Sequence, residues 1–170
     1  MKRIILILAA GLALSGCVIR TPGQQLAPDG QAVPVAYTIT ATEAAAIPNR
    51  VLEQVNMLRA GSGATPLQLD PALNGAAATH SRDMAAQNRA WHFGSDGSSP
   101  LDRARRAGYS GHLVGENISE SYENDIATLQ AWMRIRDTRD VIMDPTARTL
   151  GVAWYQEPSR KIWWTLITGK

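Results

Sequence analysis

Residues 149–168 read TLGVAWYQEPSRKIWWTLIT, and this stretch decides the fold class. Two runs rich in β-branched and aromatic residues, 149–156 and 161–168, flank the turn-forming segment 157–160, which predicts a β-hairpin. Both faces of the first run are apolar: Leu150, Val152 and Trp154 alternate with Ala153 and Tyr155. A sheet that is apolar on both faces needs a layer packed against each. The sequence therefore predicts an α+β fold, an α-β-α sandwich with a central antiparallel sheet.

Helix-start signals and apolar spacing predict four helices upstream of this hairpin. A third strand is predicted at residues 113–119, where apolar residues surround one acidic side chain. The four helices are marked, in chain order, by Val51-Val55-Leu58, Asp70-Pro71, Ser99-Pro100 and Asn124 or Asp125.

The N-terminus has the pattern of a secretory signal peptide. Lys2 and Arg3 precede the apolar run 4–14, which is shorter than the roughly 20 residues that a membrane-spanning helix needs. The run ends in Leu14-Ser15-Gly16-Cys17, which resembles the lipobox of bacterial lipoproteins and contains the single cysteine of the chain. We therefore expect a lipoprotein signal peptide at 1–16 and a lipid on Cys17.

Loss of this peptide would change the charge balance of the chain. It would remove two basic residues and no acid, leaving 15 basic and 15 acidic side chains, so no electrostatic argument for nucleic-acid binding remains. The proline-bearing segment 17–48 is predicted to be a flexible tether, and 49–170 a single domain. We therefore expect a lipid-anchored place in the bacterial cell envelope. The resemblance to lipoproteins of enteric bacteria, in which a residue other than Asp after the cysteine favours the outer membrane, implies for Val18 an outer-membrane location facing the periplasm in a Gram-negative organism.

Two side chains suggest a chemical site. His92 follows the end of a predicted helix, and Glu116 lies in a predicted strand between apolar neighbours, where burial is unfavourable unless the carboxylate is paired. These residue types serve zinc binding and acid–base chemistry. On the residues alone, however, the favoured interpretation is a plain histidine–glutamate hydrogen bond that ties the loop to the sheet. His80 is predicted to be a partly buried or surface histidine within a helix, and His112 to be solvated. The sequence contains no nucleophile elbow, zinc-protease motif or phosphate-binding loop.

An ordered set of motifs over about residues 49–168 resembles the bacterial branch of the CAP superfamily, which has an SCP-like domain. The match includes Asn56-x-x-Arg59, Pro66-Leu67-x-Leu69-Asp70, His80-Ser81-x-Asp83-Met84, 92–100, Asp102-Arg103, Gly115-Glu116-Asn117-Ile118, Trp132-Met133, 150–153 and Trp164-Thr165.

The resemblance implies an α-β-α sandwich whose cleft commonly carries two histidines and two acids that can bind a divalent metal. By position, His92 and Glu116 match one histidine and one acid, whereas Thr138 stands where the second histidine is normal, with Arg139 retained after it. Half of the set is missing, and we expect divalent metal such as zinc to bind weakly or not at all.

The favoured hypothesis is a membrane-tethered binding protein without enzymatic activity. A cleft formed by Trp91, His92, Glu116 and Thr138 would bind a small apolar or envelope ligand, and the resemblance implies lipid, peptidoglycan or an envelope protein as candidates. One alternative is a hydrolase in which Glu116 is the general base and His92 polarises the substrate or binds metal. Another is a structural envelope module without a working site.

Overall fold

The computed structural model describes residues 37–121 and 123–170. The predicted signal peptide, Cys17 and most of the predicted tether lie outside these residues. None of the helices in the described part combines the length and the mean hydropathy that crossing a bilayer would require. The elements are α1 (Ala41–Gly61), β1 (Gln68–Leu69), α2 (Pro71–Gln87), α3 (Pro100–Arg106), β2 (Leu113–Ser121), α4 (Asp125–Arg134), α5 (Arg136–Met143), β3 (Thr149–Gln156) and β4 (Ile162–Gly169).

Helix α1 begins inside the segment that the sequence analysis assigned to the tether. The side chain of Thr40 caps it by accepting from the backbone N–H of Glu43, and the helix continues through Pro48. Its buried stripe starts at Ile47, which is fully buried, and runs on through Val51. A proline inside a helix is unfavourable by about 3 kcal/mol, but burial of one large aliphatic side chain offsets most of that. The prediction of a tether as far as residue 48 was therefore wrong for its last part.

The four strands form one sheet in the order β1-β3-β4-β2. β3 pairs antiparallel with β4, and β4 antiparallel with β2, as predicted. β1 pairs parallel with β3, Gln68 opposite Thr149 and Leu69 opposite Leu150, so the sheet is mixed rather than wholly antiparallel. β1 was not predicted from the sequence, because two residues are too few to establish an alternation.

Helices cover both faces of the sheet, which confirms the predicted sandwich. On one face Leu150, Val152 and Leu166 pack with α1, α4 and α5 in the larger core. On the other face Ala153 and Ile167 pack with α2 and α3. The side-chain alternation read from the hairpin sequence thus separates the two layers.

Helix α2 lies unusually close to β3, and this contact positions the functional site. A Cβ built on Gly151 would lie 2.3 Å from the carbonyl carbon of Leu73, so only glycine fits there without a shift of backbone. One turn of α2 is also hydrogen-bonded to the strand, since the N–H of Val152 donates to the Asn74 side chain at 2.7 Å. The downstream half of α2 is thereby fixed over the sheet, with His80 and Ser81 facing inward.

Asn56-x-x-Arg59, the first motif of the resemblance to the CAP superfamily, has a structural role. The Asn56 amide bonds both backbone groups of Leu67, donating to its carbonyl at 3.0 Å and accepting from its N–H at 2.7 Å. The buried guanidinium of Arg59 donates to four backbone carbonyls beyond the helix, and burial lowers its pKa. These acceptors are the carbonyls of Thr65, Ile142, Asp144 and Ala147.

Candidate functional site

Glu116 is buried at the edge of the sheet. It lies in β2, which pairs with β4 on one side only, and the residue is 8% exposed. Successive strand residues point to opposite faces. Gly115 faces α5, where its Cβ would meet Val141, so Glu116 points to the opposite face, toward α2 and α3.

Three cationic or ionisable side chains surround the Glu116 carboxylate. A single nitrogen of Arg103, Nη2, donates to both oxygens, at 3.0 Å to Oε1 and 2.8 Å to Oε2. Nδ1 of His92 lies 2.9 Å from Oε1, and Nε2 of His80 lies 3.7 Å from the same oxygen. Neither oxygen of this carboxylate is left without a partner. We call His80, His92, Arg103 and Glu116 the polar cluster.

His92 is the part of the polar cluster that meets solvent. Its side chain is 51% exposed, whereas that of Glu116 is 1% exposed. A carboxylate can only accept, so Nδ1 carries the proton and Glu116 fixes the ring orientation. In the neutral ring, Nε2 is then an acceptor held at the end of an anchored imidazole.

His80 holds the loop that carries His92. It is fully buried, and its Nε2 donates to the backbone carbonyl of Trp91 at 2.9 Å. Burial lowers the pKa of His80, so the ring is neutral. Its Nδ1 is buried and has no hydrogen-bond partner within the described residues. The sequence analysis expected a partly buried or surface histidine at this position, and that was wrong: His80 is fully buried and lies beside Glu116.

Arg103 is the functional residue that sequence reasoning missed. The capping box between Ser99 and Asp102 sets the start of α3, which directs Arg103 toward the sheet. Its Nη1 also donates to the Ser98 carbonyl at 2.9 Å, and the residue is 5% exposed. The signal that could have found it was the acid at 116 itself, because a buried carboxylate requires a nearby cation.

An aromatic rim lies beside His92, formed by Trp91 and Phe93. Their rings are 5.6 Å apart between centroids, and Phe93 is 49% exposed. The Arg89 guanidinium stacks on Trp91 at 3.9 Å from the ring centroid, and the Trp91 indole donates to the Gln87 side chain at 2.9 Å. The structure thus brings Trp91, His92 and Glu116 together as the sequence analysis expected.

Thr138 lies on the other side of β2. The Asn117 side chain donates to the Thr138 carbonyl at 2.7 Å, and Asn117 points to the face opposite Glu116. The Thr138 hydroxyl, in α5, donates to the Trp132 carbonyl of α4 at 2.6 Å and so links the two helices across their junction. The structure therefore does not bring Thr138 into the polar cluster.

The polar cluster as it stands does not fit the divalent metal that the family resemblance implies. Zinc needs three protein ligands in a catalytic site, with carboxylate oxygens at about 2.0–2.2 Å. Both Glu116 oxygens are already bonded to a guanidinium. Across 37–121 and 123–170, no group of three or more His, Cys, Asp or Glu side chains is arranged to hold a metal ion.

Two concave regions concern the function: one lies beside the polar cluster, and the other lies away from it. A cavity of about 370 Å³ between α2, α3 and the turn at 94–98 reaches Arg103, and its lining combines charged and hydroxyl side chains, among them Asp83, Ser95, Asp96 and Arg106, with Ala76 and Ala107. A groove of about 390 Å³ lies between α1 and α4 on the opposite face of the sheet. Its floor is apolar, formed by Leu58, Ile126, Leu129 and Met133, and its rim carries Gln54, Gln130 and Arg134.

Known proteins resemble this chain over most of the domain. A model of the cysteine-rich secretory protein (CAP) family matches residues 52–167. The uncharacterized protein YkwD of Bacillus subtilis is 30% identical over 133 residues, which are 78% of this chain and 51% of that protein. The chain thus spans about half the length of this curated relative.

Solved structures share the fold at lower sequence identity. An outer surface protein of Borrelia burgdorferi has a TM-score of 0.69 at 15% identity, over 79% of this chain and 98% of its own. An extracellular protein of Bacillus anthracis that contains an SCP domain has a TM-score of 0.66 at 24% identity, over 79% of this chain and 45% of its own. A cysteine-rich secretory protein of Staphylococcus aureus has a TM-score of 0.63 at 12% identity, over 83% of this chain and 46% of its own.

Proposed function

The chain belongs to the cysteine-rich secretory protein (CAP) family, and from that premise we propose that it is a binding module of the bacterial cell envelope, anchored by lipid on Cys17. The location is supported by relatives described as an outer surface protein and an extracellular protein. It is also supported by the lipobox-like Leu14-Ser15-Gly16-Cys17. The anchor has a direct test: the full-length protein is expected in the membrane fraction, and Cys17→Ala should release it.

One observation carries the proposal of binding rather than catalysis. Both oxygens of Glu116 are bonded to Arg103, and Oε1 is also bonded to His92. A general base must reach the proton that it removes, whereas the Glu116 side chain is only 1% exposed and is paired with a buried guanidinium. A carboxylate held in this way instead serves as an anchor, which fixes the exposed His92 imidazole in one orientation. A fixed hydrogen-bonding group beside an aromatic rim is suited to recognition.

The ligand at this site is proposed to be polar. The cavity next to Arg103 is lined by carboxylates, guanidinium groups and hydroxyls, and His92 offers a single hydrogen-bonding nitrogen. Among the envelope candidates, peptidoglycan meets this description better than a lipid tail does.

An apolar ligand is a second candidate, and it fits a different place. The groove between α1 and α4 has an apolar floor formed by Leu129 and Met133, with a cationic side chain, Arg134, at its rim. Those features suit an acyl chain with an anionic head group. The sequence analysis expected one cleft at His92 for an apolar or envelope ligand. We now propose two sites on opposite faces of the sheet, one for a polar ligand and one for an apolar ligand.

Binding of defined probes tests both sites. Purified peptidoglycan sacculi in a cosedimentation assay should retain the domain, and His92→Ala should reduce the bound fraction at least fivefold. His112→Ala is the matched control, because His112 is exposed in another loop. A fluorescent fatty acid should report on the groove, with Met133→Glu as the disabling variant.

The same variants separate the two alternatives. A hydrolase would cleave peptide, ester or cell-wall substrates and lose turnover in His92→Ala without losing fold. A structural module would show no probe binding at any site, and its site variants would change the melting temperature alone.

A further inference from the structure

Arg103 bonds both oxygens of Glu116, the atoms through which a carboxylate binds a metal ion. One nitrogen, Nη2, contacts both carboxylate oxygens at 3.0 and 2.8 Å, as a bidentate cation does. The pair is shielded from solvent, with side-chain exposures of 4% and 1%. A guanidinium remains protonated at any physiological pH, so this positive charge is permanent.

The other two members of the polar cluster have the chemistry of zinc ligands. His80 Nε2 and His92 Nδ1 approach the same oxygen, Oε1, at 3.7 and 2.9 Å. Two imidazoles and one carboxylate form a donor set that zinc uses in catalytic sites. Binding through His80 Nε2 would require its proton to move to Nδ1, an atom that has no partner within the described residues. Binding through His92 Nδ1 would likewise require its proton to move to Nε2 of that ring.

We infer that Arg103 is a built-in cation that holds the Glu116 carboxylate and closes a latent His80–Glu116–His92 metal site. A divalent ion could approach these three donors only by displacing a buried guanidinium, and the like charges repel each other at that distance. This inference concerns metal exclusion alone, and it stands independently of the binding function proposed above.

Neutralising Arg103 tests the inference. In Arg103→Gln, the side chain keeps hydrogen-bonding capacity but loses its charge, and the three donors are freed. Zinc chloride alone, titrated calorimetrically into the domain, should show micromolar binding in this variant and none in the wild type. Zinc at a hundredfold excess over its Kd should raise the melting temperature of the variant by about 5 °C or more relative to EDTA.

Three further variants give the controls. Arg105→Gln removes the same charge from an exposed position on α3 and should behave like the wild type. Arg103→Lys restores a positive charge and should again exclude zinc. Adding His92→Ala to Arg103→Gln should remove the zinc-dependent stabilisation.

Two results would overturn the inference. One is a folded Arg103→Gln that binds no zinc. The other is a wild-type protein that binds zinc at micromolar concentration in a His92-dependent manner. If Arg103→Gln is unfolded in EDTA, recovery of the native circular dichroism spectrum on adding zinc supports the inference, and failure to recover refutes it. Whether or not Arg103→Gln is folded, the zinc titration of the wild-type protein can still refute the inference.

Discussion

Glu116→Gln should destabilise the domain far more than its small change in shape suggests. The substitution keeps the size of the side chain and removes the negative charge. Arg103, with 4% of its side chain exposed, is then left as a buried cation facing an amide. Breaking a buried ion pair by removing one partner costs about 3–5 kcal/mol. For a domain of this size the loss corresponds to a fall of about 10–20 °C in melting temperature.

Glu120 provides a matched control on the same strand and the same face. Its side chain is 49% exposed, and its nearest cation, Lys161 Nζ, lies 3.9 Å away. An exposed pair of this kind contributes about 0–1 kcal/mol, so Glu120→Gln should be nearly silent.

The assay is urea unfolding monitored by tryptophan fluorescence, with free energies compared at equal m-values. In the double variant Arg103→Met/Glu116→Gln the loss should be smaller than the sum of the two single losses, because no buried charge remains unpaired. Equal losses in Glu116→Gln and Glu120→Gln would refute the claim that a buried ion pair organises this site.

Three further predictions concern the scaffold and its pH response. Arg59→Lys should lose about 2–4 kcal/mol, because one ammonium cannot reach the four carbonyls that the guanidinium bonds, and chemical unfolding measures this loss. Gly151→Ala should lower the melting temperature, since its Cβ would lie 2.3 Å from the backbone of Leu73, whereas Gly61→Ala, with open space around it, should not. Burial lowers the pKa of His80, so the unfolded chain binds the extra proton first, and stability should fall as the pH drops below about 6.5, by at most about 1.4 kcal/mol per pH unit. Urea midpoints at pH 7.5 and 5.5 measure this fall, and His80→Gln should reduce it.

The sequence predicted the elements whose signals are local. The hairpin was recognised from two alternating apolar runs around a turn, and α2 from Asp70 followed by Pro71, because both patterns depend on adjacent residues. α5 was missed because its start at Ile135 has no side-chain cap. The start of α1 was missed because Pro48 was interpreted as part of an irregular segment, and burial of Ile47 cannot be read from the chain.

The site was predicted in part for the same reason. His92 and Glu116 stood out as residue types in unusual surroundings, and they lie 2.9 Å apart between Nδ1 and Oε1. Arg103 was not recognised, because an arginine in a short helix with Arg105 and Arg106 resembles a solvated face. Its burial depends on how α3 packs against β2, a long-range contact that no local pattern encodes. The position of Thr138 across β2 was likewise invisible, since it depends on which face each strand residue takes.

The two concave regions lie on opposite sides of one sheet, and the buried layers between them share no side chain. An occupant of the α1–α4 groove would therefore neither block nor touch an occupant beside His92. The affinity of each site should be unchanged when the other is occupied, and either surface could change in evolution while its counterpart stays intact. On the proposal of two ligands, the domain would hold a polar and an apolar ligand at the same time, with the whole thickness of the sheet between them.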